Sequence, residues 1–292
     1  MGAGQSIYRE TADGCPMWYG WTSAMHTRFD AILCGRGQEE CEAAFRRMTE
    51  ELNRLEKRLS RFDPVSDVWK INALAADEPV MLDGEMRDML TAALEYGRKT
   101  EWFFDITAGS PARKVHPSQR VFLDPGTGEA LFKTRGVQLD LGGYAKGYAV
   151  EVLKKELLEK GWRDFLLNFG YSSVYGGGSR PGGDGWRSGV EHPERPGFNV
   201  LEVTLRDNAL NTSGNMPQHT EHIFLPVSDR YAKDTMAVSV VSESPLDGEV
   251  LSTAVFAAAA DGRPVGFLRN FGKVSVYGIR YEGLFPVVSV LW

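Results

Sequence analysis

Residues 139–161 read "LDLGGYAKGYAVEVLKKELLEKG": an apolar start, a glycine pair, then Ala145, Lys146 and Gly147, and a charged amphipathic run. Small residues thus stand where a helix should begin. A helix start exposes unpaired backbone N–H groups and the positive end of the macrodipole. Small side chains at that point let an anionic ligand approach the backbone closely. The segment predicts a strand, a glycine turn and a helix reaching about Lys160, with its N-terminus suited to an anion.

The neighbouring segments predict what this helix packs against. "HTRFDAIL" reads as a strand, and the helix after it carries Phe45, Met48, Leu52, Leu55 and Leu59, spaced 3, 4, 3, 4 along one apolar stripe. Asp63-Pro64 ends that helix, and Ser66 is placed to cap a short second one. A third helix spans about Asp83 to Arg98. "WFFDITAG" joins three aromatics to an aspartate and a small-residue turn, and "VFLDPGTGEALF" reads as strand, turn and strand. "DFLLNFG" is a buried strand by its apolar run, and "YGGGSRPGGDGW" is a flexible loop. "FNVLEVTL", "MAVSVVS", "KVSVYGI" and "FPVVSVLW" read as further strands, and "DGEVLSTAVFAAAADG" as a last helix. No repeat or linker divides the chain. The pattern predicts a single α+β domain with mixed sheets over residues 21–292, preceded by an irregular arm over residues 1–20.

A chain of 292 residues with 42% apolar content can bury a core of that size. Its formal charge of −6 argues against nucleic acid as a partner, since such a face would be basic. Cys15, Cys34 and Cys41 are an odd set without CxxC spacing, so neither a disulfide framework nor a zinc ribbon is indicated. No stretch approaches the ~18 apolar residues of a transmembrane segment. As given, the chain is expected to be cytoplasmic, or periplasmic if a leader has been removed.

On the last helix Glu249 and Thr253 are four residues apart, which stacks them on one face. A carboxylate and a hydroxyl so placed could offer two oxygens to a hard cation such as Mg²⁺. Exposed Glu/Thr pairs of this kind are common, but Ala254, Val255, Ala257 and Ala258 make this helix apolar nearly all round, and a buried carboxylate needs a partner or a metal. In "HTEHIFLP", His219 and His222 would point to opposite faces of an extended segment and cannot share one ion. His222 is either a structural histidine or a general base. The glycine-rich stretch at 176–185 matches neither a dinucleotide-binding fingerprint nor a P-loop, and no nucleophile elbow is present.

Together these segments resemble the ApbE family, the Mg²⁺-dependent FAD:protein FMN transferases. "LDLGGYAKGYAVE" is nearly the family's Asp-Leu-Gly-Gly-x-Ala-Lys-Gly-Tyr-Ala-Val-Asp signature. "LSRFDPVSDVWKIN", "FFDITAG", "LLNFGYSS", "GWRSGVEHP" and "NTSGN" follow in the family's order, from about Met25 to Ala258. The resemblance implies a single mixed α/β domain of the ApbE, T-fold-like type. It implies that the helix start holds the pyrophosphate of FAD beside Mg²⁺, whose ligands would be the carbonyl of Ala145 and the side chains of Glu249 and Thr253. Flavin contacts carried over by motif are Met25, Phe62, Phe103, Phe104, Asp105, Gly142, Tyr148 and Ile223. If Phe103 and Phe104 lie on a strand, at most one can face the ligand.

The activity implied is transfer of FMN from FAD to a threonine of an acceptor protein through a phosphoester bond, with release of AMP. Lys146 would add a fixed cation, His222 would accept the hydroxyl proton, and the acceptor would carry a pattern similar to Asp-Gly-x-Thr-Gly-Ala-Ser/Thr. The sequence departs from the family at four points: Glu249 stands in place of an aspartate, Leu225 in place of an acid, Asp229 in place of a glycine, and Tyr171 in place of a second glycine. Two other activities fit the same residues: an FAD pyrophosphatase that uses water, and an FAD-binding protein with weakened catalysis.

Overall fold

The computed structural model describes residues 6–11, 14–112, 115–215, 223–233, 236–282 and 285–292. The chain opens with β1 (Ser6–Glu10), β2 (Pro16–Ala24) and β3 (Thr27–Cys34), which pair as consecutive antiparallel strands. Residues 6–10 and 16–20 are therefore strand, where the sequence predicted an irregular arm. The glycine that breaks the strand pattern explains the difference. A Cβ at Gly20 would lie 2.1 Å from the Trp18 ring, so the bare backbone accommodates a buried indole two residues away.

α1 (Gln38–Leu59) buries Met48, Leu52, Leu55 and Leu59, the stripe read from the sequence. α2 (Asp67–Leu74) and α3 (Gly84–Lys99) start at Ser66 and Asp83, whose side chains accept from the amides of Trp69 and Met86. Between and after them β4 (Val80–Met81), β5 (Val121–Leu123) and β6 (Glu129–Phe132) form a small sheet in the order β4-β6-β5. α4 (Gly142–Glu159) follows without a strand before it. Leu139 exchanges hydrogen bonds with the Asn72 side chain and Asp140 N–H donates to Ile106, so the expected strand is a tethered segment.

β7 (Phe165–Phe169) and β8 (Ser173–Gly177) form a hairpin. Gly176 and Gly177 belong to β8, not to a flexible loop, because the Trp186 and Phe165 rings lie where their Cβ atoms would be. β9 (Trp186–His192) and β10 (Arg195–Leu205) form a separate two-stranded sheet. β11 (Asn208–Gly214) pairs with β8 and with β14 (Met236–Ser242). The two-residue strands β12 (Phe224–Leu225) and β13 (Arg230–Tyr231) lie between them in sequence. α5 (Pro245–Ala260), β15 (Val274–Glu282) and β16 (Phe285–Val290) complete the chain.

The main sheet has nine strands in the order β1-β2-β3-β7-β8-β11-β14-β15-β16. Its described pairings are all antiparallel, which corrects the expectation of mixed sheets. Alternating strands and helices suggest parallel crossovers. Here the long excursion through α1–α4 returns next to β3 in the opposite direction. α5 is buried on nearly every face, packing on β11, β14 and α4. No helix among the described residues is long and apolar enough to cross a membrane.

Candidate functional site

The start of α4 meets the side of α5, and this crossing is where the glycines are needed. A Cβ on Gly147 would lie 2.5 Å from Glu249 Cβ and 2.8 Å from the Pro245 carbonyl oxygen. On Gly143 it would sit 3.5 Å from Thr253 Oγ1. Small residues at this helix start thus serve close helix packing as well as an open approach to the backbone. The Gly142 amide is taken by Asp140 Oδ1 at 2.9 Å, while Gly143 opens onto a cleft of about 1320 Å³.

Eight of the predicted site residues border this cleft: Phe103, Phe104, Asp105, Gly142, Lys146, Ile223, Glu249 and Thr253. Its central feature is Glu249, only 4% exposed. Lys146 Nζ donates to Glu249 Oε1 at 2.7 Å, and Asn211 Nδ2 donates to Oε2 at 3.0 Å and to Ser173 Oγ at 2.8 Å. The buried carboxylate therefore has an ammonium and an amide as partners. Thr253 stands one turn further on, its hydroxyl 3.0 Å from Ser213 Oγ and 3.3 Å from the Glu249 carbonyl. Asn211 and Ser213 were not singled out from the sequence. Both lie within "NTSGN", whose alternation on β11 carried the signal.

Phe103 and Phe104 both reach the cleft wall, because they lie in a turn and not on a strand. Glu101 and Trp102 have φ of 54° and 65°, and this left-handed pair coils the chain just before them. Asp105 borders the cleft, but its carboxylate is turned into the protein. It accepts from Thr107 N–H at 2.8 Å, from the Thr107 hydroxyl at 2.6 Å and from Arg120 at 2.9 Å. Burial raises its pKa above the ordinary range despite these donors. Asp105 thus shapes the loop, with both carboxylate oxygens engaged by donors of the protein. Arg120, which the sequence reading missed, is fixed by the same group and by the Val115 carbonyl.

Four predicted residues lie off the cleft. Tyr148 faces α1 and α3: its hydroxyl donates to Glu85 at 3.3 Å, and burial, with Glu85 next, pushes its pKa up to about 12. Met25 sits at the β2–β3 turn with φ 48° and packs on the core. Phe62 is 74% exposed, and its neighbour Arg61 is the one that borders the cleft, paired to Asp140 at 2.9 Å. Ala145 is the fourth residue of α4, its amide donating to the Leu141 carbonyl at 2.8 Å. His219 and His222 lie outside the described residues.

Among the described residues, no group of three His, Cys, Asp or Glu side chains forms a ready-made metal site. The donors that are present, one carboxylate and hydroxyl oxygens, are hard. They suit Mg²⁺, which commonly takes one or two carboxylates and completes its shell from water and substrate phosphate. Lys146 and a cation at this place would compete for Glu249 Oε1.

An FAD:protein FMN transferase of Rhodobacter capsulatus is 27% identical over 263 residues, covering 85% of this chain and 45% of that protein. One from Treponema pallidum (strain Nichols) is 25% identical over 287 residues, covering 83% of this chain and 78% of that protein. The chain thus spans less than half of the first relative and most of the second. The ApbE protein of Thermotoga maritima has the same fold, with a TM-score of 0.80 at 22% identity over 97% of each chain. The ApbE family pattern itself matches residues 25–265, which takes in α4, α5 and every described residue that holds Glu249 in place. With signature helix, fold and cleft in agreement, the chain belongs to the ApbE family.

Proposed function

We propose that this chain is an FAD:protein FMN transferase, moving FMN from FAD to a threonine of an acceptor protein and releasing AMP. The observation that carries the reading is the junction of α4 and α5, where Gly143, Lys146, Glu249 and Thr253 meet on one wall of a cleft. A cleft of about 1320 Å³ is roomy enough for a dinucleotide, ordinary ligand sites running to ~1,000 Å³. Glu249 and Thr253 would hold Mg²⁺, which when bound neutralises charge on the pyrophosphate, while the third ligand that the resemblance implies, the Ala145 carbonyl, lies off the cleft lining. Lys146 supplies a fixed positive charge at the same wall, and the opening of α4 presents backbone to the phosphates. The acceptor hydroxyl attacks the FMN-side phosphorus, its proton passes to His222, the bond to the AMP oxygen breaks, and AMP leaves.

The test is incubation with FAD, Mg²⁺ and an acceptor carrying Asp-Gly-x-Thr-Gly-Ala-Ser/Thr, followed by flavin fluorescence on the denatured acceptor. Covalent fluorescence that disappears with chelator or on Thr→Ala in the acceptor is expected. Release of free FMN and AMP with an unlabelled acceptor would establish the pyrophosphatase instead. One observation favours a second reading, an FAD-binding protein with weakened catalysis. Leu225, where the family has an acid, is fully buried in the core and carries no carboxylate. Tight FAD binding with neither product would establish that reading.

A further inference from the structure

The turn between β7 and β8 runs from Phe169 to Ser172, and its two central residues, Gly170 and Tyr171, have φ of 64° and 56°. A turn with both central residues left-handed matches the twist of a hairpin, and glycine or asparagine is the ordinary occupant. Tyrosine at such a position is strained by its Cβ. The strain is imposed by a well-anchored backbone. Gly170 N–H donates to the Arg28 carbonyl at 2.8 Å, Tyr171 N–H to Asn168 Oδ1 at 3.1 Å, and Thr212 N–H to the Ser172 carbonyl at 2.8 Å.

The fold gains nothing visible from this ring. Tyr171 is 71% exposed, and among the described residues its ring stacks on no aromatic and its hydroxyl makes no hydrogen bond. It does border the same cleft as Gly143, Lys146 and Glu249. An exposed aromatic held in a strained conformation at a cleft mouth points to a partner that arrives with the ligand. We propose that Tyr171 is a binding residue that stacks on a planar heteroaromatic ring of the bound nucleotide. The proposal rests on the flavin-nucleotide reading above and adds to it the residue by which this chain departs from the family glycine. The ring that it covers is either the isoalloxazine or the adenine.

Calorimetry of the full chain with FAD, FMN and ADP, on wild type, Tyr171→Gly and Tyr171→Phe, tests it. Tyr171→Gly should keep the wild-type melting temperature or exceed it, since glycine adopts the left-handed conformation freely. It should bind FAD about tenfold more weakly, the usual scale for loss of one stacked base. Tyr171→Phe should bind FAD within about twofold of wild type, because the ring face is kept. A loss reproduced with FMN assigns the isoalloxazine, and one reproduced with ADP assigns the adenine. Equal affinity of wild type and folded Tyr171→Gly for all three ligands overturns the proposal and leaves the transferase reading standing. A wild-type protein that binds no FAD overturns both.

Discussion

Glu249 is held from both sides, by an ammonium on α4 and an amide on β11, and the two partners predict different losses. Lys146→Met leaves a carboxylate that is 5% exposed without its cation, which costs about 3 kcal/mol by the usual scale for a broken buried pair. Glu249→Ala leaves a lysine that is already 24% exposed, and the loss should be nearer ~1 kcal/mol. Added Mg²⁺ should raise the melting temperature of Lys146→Met more than that of wild type, because Oε1 is then free, and should leave Glu249→Ala unchanged. A thermal-shift series with and without Mg²⁺ checks this, and an equal Mg²⁺ response in all three would refute the metal placement. Leu225 gives a second expectation at this scale. It is 0% exposed, so Leu225→Asp buries a charge and should destabilise by several kcal/mol rather than restore a family acid to use. A variant that unfolds like wild type in urea would contradict that.

Among the elements, α4 and α5 touch so closely that Gly147 cannot gain a methyl group without moving a backbone. The nearest obstacle besides Glu249 Cβ is the Pro245 carbonyl oxygen, which cannot rotate away as a side-chain tip could. Gly147→Ala gains ~1 kcal/mol of helix propensity but should still lose ~1–2 kcal/mol net through overpacking, visible as a lower melting temperature. The interface of α1 with α3 makes a prediction about acid. Hydrogen bonds from Arg54, first among its contacts, hold the Glu85 carboxyl below its ordinary 4.5. Because the folded value is lowered, this contribution is complete above about pH 4.5 and lost as the pH falls further. The melting-temperature gap between wild type and Glu85→Gln should therefore narrow below that pH. A gap that stays constant down to pH 3 would argue against the pair. Helix positions of this kind were readable from the sequence because stripes and caps are local: Met48 through Leu59, Ser66 and Asp83 all fall where their spacing placed them. Strands with their own apolar run, such as β3, β7, β14 and β15, were readable as well, but β1 and the start of β2 were not. Nothing local to Tyr8 reveals that it sits opposite Trp18.

For the molecule as a whole, the α+β class and the family were legible, whereas the antiparallel order and the inner face of the cleft were not. The signature at Gly142–Tyr148 marked α4, but the conformation that turns Asp105 inward to Arg120 and sends Tyr148 to Glu85 is decided by residues 15 to 63 positions away. A cleft bounded by so many separated segments should favour the larger ligand. FAD is expected to bind more tightly than FMN in calorimetry, and equal affinities would count against a site that spans the diphosphate. The same sheet order bears on how the chain is made. β3 finds its inner partner only in β7, after all of α1 to α4 has been added. Until Phe165–Phe169 emerges, the growing chain carries the β1-β2-β3 meander with an open inner edge, a template for pairing with a neighbouring chain. Fragments that stop after α4 should therefore self-associate through β3, and the half-made protein is the form in which this fold is most exposed to aggregation.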